Sequence, residues 1–217
     1  MSESHVIDNG FAFLQQIQLL LARGYTNYFI GTYPIKKEDK FEMIDKKIIQ
    51  QYKCDLNKDK IYYRKKKGLC NVKFLRHKNI YLLLKTNGKE DIDYENNYLS
   101  IKETNLTIKL SDHLTVEFFY DSQLKITLKI EKQCFRDIRE TIRDYLDARR
   151  FNEAANKFSS LNGIPAYAGV IVQKKQLKQY LMKYVKQHSL LDKEGLKRFK
   201  TSLRIHTRRT MYTIYEK

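Results

Sequence analysis

The chain has 217 residues, and 42 Lys and Arg against 25 Asp and Glu give it a net charge of +17 at pH 7. An apolar share of 42% is that of a globular protein rather than a disordered one, and 8 Gly with 2 Pro argue against long flexible linkers. The one strongly apolar run, Leu19-Leu20-Leu21, is broken by glutamines well short of the ~20 residues a bilayer demands, so neither a spanning helix nor a membrane partner is expected.

Residues 8–23 read as a helix, with Asp8 or Asn9 as N-cap, Gly24 just past its end, and Phe13, Ile17, Leu20 and Leu21 as its apolar stripe. Tyr25 to Tyr33 reads as a strand closed by Pro34. A second helix is expected from Glu38 to Tyr52 on the spacing of Phe41, Ile44, Ile48 and Ile49. Asn57-Lys58-Asp59 can start a short helix carrying Tyr62, Tyr63 and the basic knot Arg64-Lys65-Lys66-Lys67. Two apolar runs, Val72 to Leu75 and Ile80 to Leu84, flank His77-Lys78-Asn79 and predict a buried β-hairpin. After an acidic loop with an Asn87-Gly88 turn, residues 98–130 read as a meander of short strands, punctuated at Asn105, Ser111-Asp112 and Asp121-Ser122.

The apolar period changes from two to between three and four at Glu131. Phe135, Ile138, Ile142, Tyr145 and Leu146 predict a helix to about Arg150, and residues 151–160 a second. Pro165 suits the first turn of a third, running to about Gln187, with Tyr167, Val170, Ile171, Leu177, Leu181, Tyr184 and Val185 as its stripe and Lys174, Lys175 and Lys178 on its other face. Asp192 caps a short last helix, and Met211 to Tyr215 ends the chain as a candidate strand. The order predicts an α+β fold: an N-terminal helix, an antiparallel sheet with central hairpin and meander, and a C-terminal helical bundle with a winged-helix variant in view. The expected domains are 1–130, α+β with the basic hairpin, and 131–217, basic and helical.

Charge is distributed in blocks. Residues 36–89 carry 17 basic against 6 acidic side chains, 90–131 carry 4 against 9, and 132–217 carry 20 against 8. Two basic regions around an acidic one point to a directed electrostatic footprint, and nucleic acid, DNA or RNA, is the expected partner. The expected contacts are Tyr62, Tyr63, Arg64, Lys65, Lys66, Lys67, Lys73, Arg76 and Lys78 in the centre. Lys174, Lys175, Lys178, Arg198, Lys200, Arg204, Arg208 and Arg209 are expected in the C-terminal part. Cations supply phosphate contacts, aromatic rings supply stacking surfaces, and an arginine fork suits phosphates and base edges. Any single lysine on such a helix is, by default, simply solvated.

Three widely spaced cysteines, Cys54, Cys70 and Cys134, fit free thiols in a reducing, cytoplasmic setting. No Gly-rich phosphate loop occurs, and the five histidines show no metal-ligand spacing, so no cofactor or metal is expected. The strand, helix and following strand with His77 ahead of Ile80-Tyr81-Leu82 resemble rolling-circle replication initiators and small single-strand transposases, in which a strand presents a His-hydrophobic-His pair to a metal and a later helical tyrosine attacks the phosphodiester. Here the second histidine is missing, and Tyr180 and Tyr184 lie on an apolar stripe, so those catalytic roles are not carried over. The overall pattern also resembles uncharacterised reading frames of plasmids and mobile elements.

A nucleic-acid-binding protein is thus the leading expectation. A metal-dependent nuclease or strand-transferase is the alternative, with ligands from Asp91, Asp93, Glu90 and Glu95. A basic accessory subunit of a ribonucleoprotein or protein–DNA assembly, bound to a protein partner, is the third.

Overall fold

In the computed structural model of the chain, which describes residues 5–91 and 97–207, Asn9 opens the first helix, α1 (Gly10–Ala22). Its side-chain oxygen accepts from the Phe11 and Ala12 N–H groups at 2.9 and 3.0 Å, satisfying donors that a helix start leaves over. Gly24, at φ +95°, supplies the left-handed residue that stops it. Phe13, Leu14, Ile17, Leu20 and Leu21 are buried along its inner side.

The described residues form seven helices and two antiparallel sheets, an α+β protein. They divide into two compact units: residues up to Leu106 with Phe119–Ile126, and Thr107–Phe118 with residues 127–207.

In the first unit, β1 (Asn27–Thr32), β2 (Val72–His77), β3 (Ile80–Lys85) and β4 (Leu99–Ser100) form one sheet in the order β2-β3-β1-β4. The hairpin β2–β3 is the expected one, paired from Val72 opposite Lys85 to His77 opposite Ile80. Lys78 takes φ +52° in its two-residue turn. The short β4, read from sequence as the first strand of the meander, instead pairs with β1. The outer edge of β2 is covered by the N-terminal segment, where the Ile7 N–H donates to the Arg76 carbonyl and the Arg76 N–H to the His5 carbonyl, each at 2.8 Å. α2 (Phe41–Gln51) follows a short 3-10 stretch, and Tyr52, Cys54, Val72, Phe74 and Leu83 form a buried cluster. α3 (Lys58–Lys66) starts at Asn57, which accepts from the Lys60 N–H, and ends at Gly68 with φ +70°.

The strands β5 (Leu106–Ser111), β6 (Leu114–Tyr120) and β7 (Ile126–Ile130), most of whose residues belong to the second unit, form the meander. Four helices follow: α4 (Lys132–Asp147), α5 (Phe151–Ser160), α6 (Ala168–Gln187) and α7 (Lys193–Ser202). α6 begins later than Pro165, with Tyr167 in the cap position. Asp192 caps α7 as expected, accepting from the Gly195 N–H at 2.7 Å. The expected strand Met211 to Tyr215, on which the winged-helix variant depended, lies outside the described residues. Among the described residues, no helix is long and apolar enough to cross a membrane.

Gly31 of β1 faces Tyr81 of β3, and a Cβ there would stand 2.4–2.5 Å from the Tyr81 ring. That ring stacks on Tyr33 at 4.7 Å and on Phe74 at 6.2 Å, so it has no free direction in which to retreat. Gly31→Ala is expected to destabilise the protein by about 1–3 kcal/mol. Gly163→Ala, with no atom within 4 Å of the new Cβ, should stay within about 0.5 kcal/mol. Urea denaturation of the two variants measures the difference.

Candidate nucleic-acid interface

The basic knot forms the last turns of α3, and the structure sorts its members by role. Arg64 is anchored. Its guanidinium donates to the Asp91 carboxylate at 2.6 and 2.7 Å and to the Cys70 carbonyl at 2.8 Å, which ties the helix to the segment leading into β2. The Arg64 hydrogen bonds hold the Asp91 carboxyl below the usual carboxylate range. Lys65, Lys66 and Lys67 are exposed. Tyr62 is 69% and Tyr63 58% exposed, and the Lys67 ammonium lies over the Tyr63 ring at 4.7 Å. No residue of α3 is fully buried.

Beneath α3 lies a cleft of about 1350 Å³. Its walls come from the C-terminal end of α1, residues 55–59 at the start of α3, and the first residues of β2. Tyr62, Lys65 and Lys73, expected together on sequence grounds, do meet around it. Lys73 is only 8% exposed. Sequence reasoning missed Arg23, Lys58 and Asn71, which line the same cleft from separate elements. Asn71 is 4% exposed; its Nδ2 donates to the Ile61 carbonyl at 3.4 Å, while its Oδ1 has no hydrogen-bond partner. A lone polar residue ahead of an apolar strand was the available signal for Asn71.

The other end of the hairpin is structural. Arg76 was expected on phosphate. Instead its Nε donates to Asp45 at 2.7 Å, its Nη1 to the Lys78 carbonyl at 2.8 Å, and its guanidinium covers the Phe41 ring. Lys78 is exposed in the turn. His77, the histidine behind the likeness to replication initiators, is 3% exposed, bonded through Nδ1 to the Ile7 carbonyl at 2.8 Å and stacked on Phe13. Asp91 is engaged by Arg64, and Glu90 pairs with Lys85; Asp93 and Glu95 lie outside the described residues. Among the described residues, no three His, Cys, Asp or Glu side chains gather as metal ligands would. Burial pushes the Cys54 thiol up to about 12, which makes it a packing residue rather than a nucleophile.

In the second unit, two of the three expected α6 lysines are committed to the fold. Lys178 donates to the Leu203 and Lys200 carbonyls at 2.6 and 3.1 Å and so caps α7; burial and the Lys200 charge lower its pKa. Lys174 is 1% exposed, with its ammonium 3.5 Å from the Ile164 carbonyl. It lies four residues after Val170 and three before Leu177, which places it on the buried stripe and not on the polar face. Lys175, Lys200 and Arg204 are exposed, and Arg198 is exposed but paired with Glu194. Arg198 and Arg204 border one shallow hollow along α7. Arg208 and Arg209 lie outside the described residues. Tyr184 is half-buried, its hydroxyl donating to Asp147 at 2.6 Å. No protein-family model, curated protein or solved structure matches the chain.

Burial lowers the Lys174 pKa to about 8 from 10.5. Between those values the unfolded chain holds a proton that the folded chain has released, so stability rises with pH there, and the penalty is complete below about pH 8. Lys174→Met is expected to stabilise the protein at about pH 7 by on the order of 2–3 kcal/mol. The gain should shrink toward pH ~10. Denaturation midpoints at both pH values check this, and an equal gain at both would contradict it.

Proposed function

We propose that the chain binds single-stranded nucleic acid, DNA or RNA, along α3. The supporting observation is a nine-residue helix that fully buries none of its side chains, yet carries Tyr62 and Tyr63 in water beside Lys65, Lys66 and Lys67. Exposed rings attract unstacked bases, and lysines alongside them attract the linking phosphates. A duplex hides its base faces, which favours the single strand. Tyr63 already has an ammonium over its ring, so Tyr62 is the stronger stacking platform. The net charge of +17 adds long-range attraction for a polyanion. The exposed cations of α6 and α7, Lys175, Lys200 and Arg204, are a second region for phosphate contact.

The test is fluorescence anisotropy with a labelled strand of about 15 nucleotides and the matching duplex, across a salt series. The single strand should bind more tightly than the duplex. Tyr62→Ala with Tyr63→Ala should weaken binding by tenfold or more, since each stacked base contributes roughly 1–3 kcal/mol. Reversing Lys65, Lys66 and Lys67 to Glu should weaken binding and flatten the salt dependence by about 2 in log–log slope. Wild-type affinity in the double tyrosine variant would overturn the reading.

A further inference from the structure

We infer that the cleft beneath α3 takes one phosphorylated nucleotide, either free or as a unit of a strand lying on the helix. The inference rests on the nucleic-acid reading only for the strand form; a free nucleotide needs the cleft alone.

Its size comes first. At about 1350 Å³ the cleft exceeds the roughly 300–1,000 Å³ of ordinary small-molecule sites, so one nucleotide fits within part of it. Its charge comes second. Arg23, Lys58, Lys65 and Lys73 line it against the two carboxylates Asp55 and Asp59, which leaves a cationic excess in a concave, partly dry space. Lys73, 8% exposed and engaged within the fold, adds to the positive potential of the cleft, while the exposed Arg23, Lys58 and Lys65 are the cations a phosphate would meet.

The start of α3 adds a second source of positive potential. Asn57 takes up the Lys60 N–H with its side chain and the Ile61 N–H with its carbonyl, and the two amides before them, of Lys58 and Asp59, lie in the first turn, where a helix has no partner of its own to offer. Asn71 supplies an observation independent of charge. It is a buried amide in the cleft wall whose Oδ1 has no partner, and such a group is costly unless a donor reaches it. A nucleobase brings N–H donors of that kind. Tyr62 belongs both to the cleft lining and to the exposed face of α3, so a base stacked on it stands at the mouth of the cleft.

The experiment uses the full chain and two probes, adenosine 5′-monophosphate by calorimetry and the labelled strand of about 15 nucleotides by anisotropy. Inorganic phosphate is the control for charge alone. The nucleotide should bind more tightly than phosphate, and Lys73→Met should weaken it by roughly tenfold or more. Arg23→Glu with Lys58→Glu, both at exposed positions, should weaken it comparably and keeps the test valid if Lys73→Met fails to fold. If these variants also weaken the long strand, the cleft holds a unit of the strand. If they weaken only the mononucleotide, it holds free nucleotide. Strand binding that survives every cleft variant, with no mononucleotide binding, overturns this inference and leaves the α3 reading standing. Mononucleotide binding without strand binding overturns the α3 reading and supports the cleft. Binding of phosphate and nucleotide with equal affinity overturns the nucleotide assignment.

Discussion

Asp45 on α2 sits 4% exposed between two donors, the Arg76 guanidinium at 2.7 Å and the Tyr33 hydroxyl at 2.9 Å. A carboxylate so far out of water is tolerated only when it is paired, and removal of Arg76 would leave a buried charge at a cost of about 3–5 kcal/mol. Burial first, and the Asp45 charge second, raise the Tyr33 pKa, so this hydroxyl stays a donor throughout the working range. The interaction joins α2, the end of β1 and the end of β2 in a single knot. Tyr33 then stacks on Tyr81, and Tyr81 occupies the space that Gly31 leaves open.

The same knot changes how the positive charge is to be read. Arg76 is taken up by Asp45, Arg64 by Asp91 and the Cys70 carbonyl, Lys178 by the end of α7, and Lys174 by burial. Three of these cations tie elements of the fold together, while Lys174 is withdrawn from water at a cost in stability. Of the cations expected as contacts, those that reach solvent are Lys65, Lys66 and Lys67 at α3, Lys78 in the hairpin turn, and Lys175, Arg198, Lys200 and Arg204 in the helical part. In the first unit Arg64 and Arg76 each satisfy several acceptors at once with the planar guanidinium fork.

Local periodicity carried most of the fold. The hairpin at Val72–His77 and Ile80–Lys85 and the caps at Asn9, Asn57 and Asp192 all follow from patterns within a few residues. Pairing over long separations did not. Nothing near Leu99 in the sequence says that it joins β1 rather than the meander, because a two-residue strand has no period to read. Lys174 was misplaced for the opposite reason: its spacing put it on the buried stripe, and its residue type argued against the spacing. The candidate site divides the same way. Tyr62 and Lys65 are adjacent in a visible motif, while Arg23, Asn71 and Lys73 reach one cleft from elements that only the folded chain brings together.

α3 is a helix with almost no hydrophobic anchorage, hung from the sheet by the Arg64 guanidinium and capped by one asparagine. Such an element opens as its own cooperative segment, with a free energy well below that of the whole fold. Its tether is also an ion pair, with Asp91 27% exposed, so dissolved ions weaken it. The tether of the platform therefore weakens under the same variable used to count its phosphate contacts. A steep loss of affinity at high ionic strength records two events at once, displacement of bound cations and unfastening of the helix. The number of phosphates gripped is read faithfully only from the low-salt limb, where α3 is still closed.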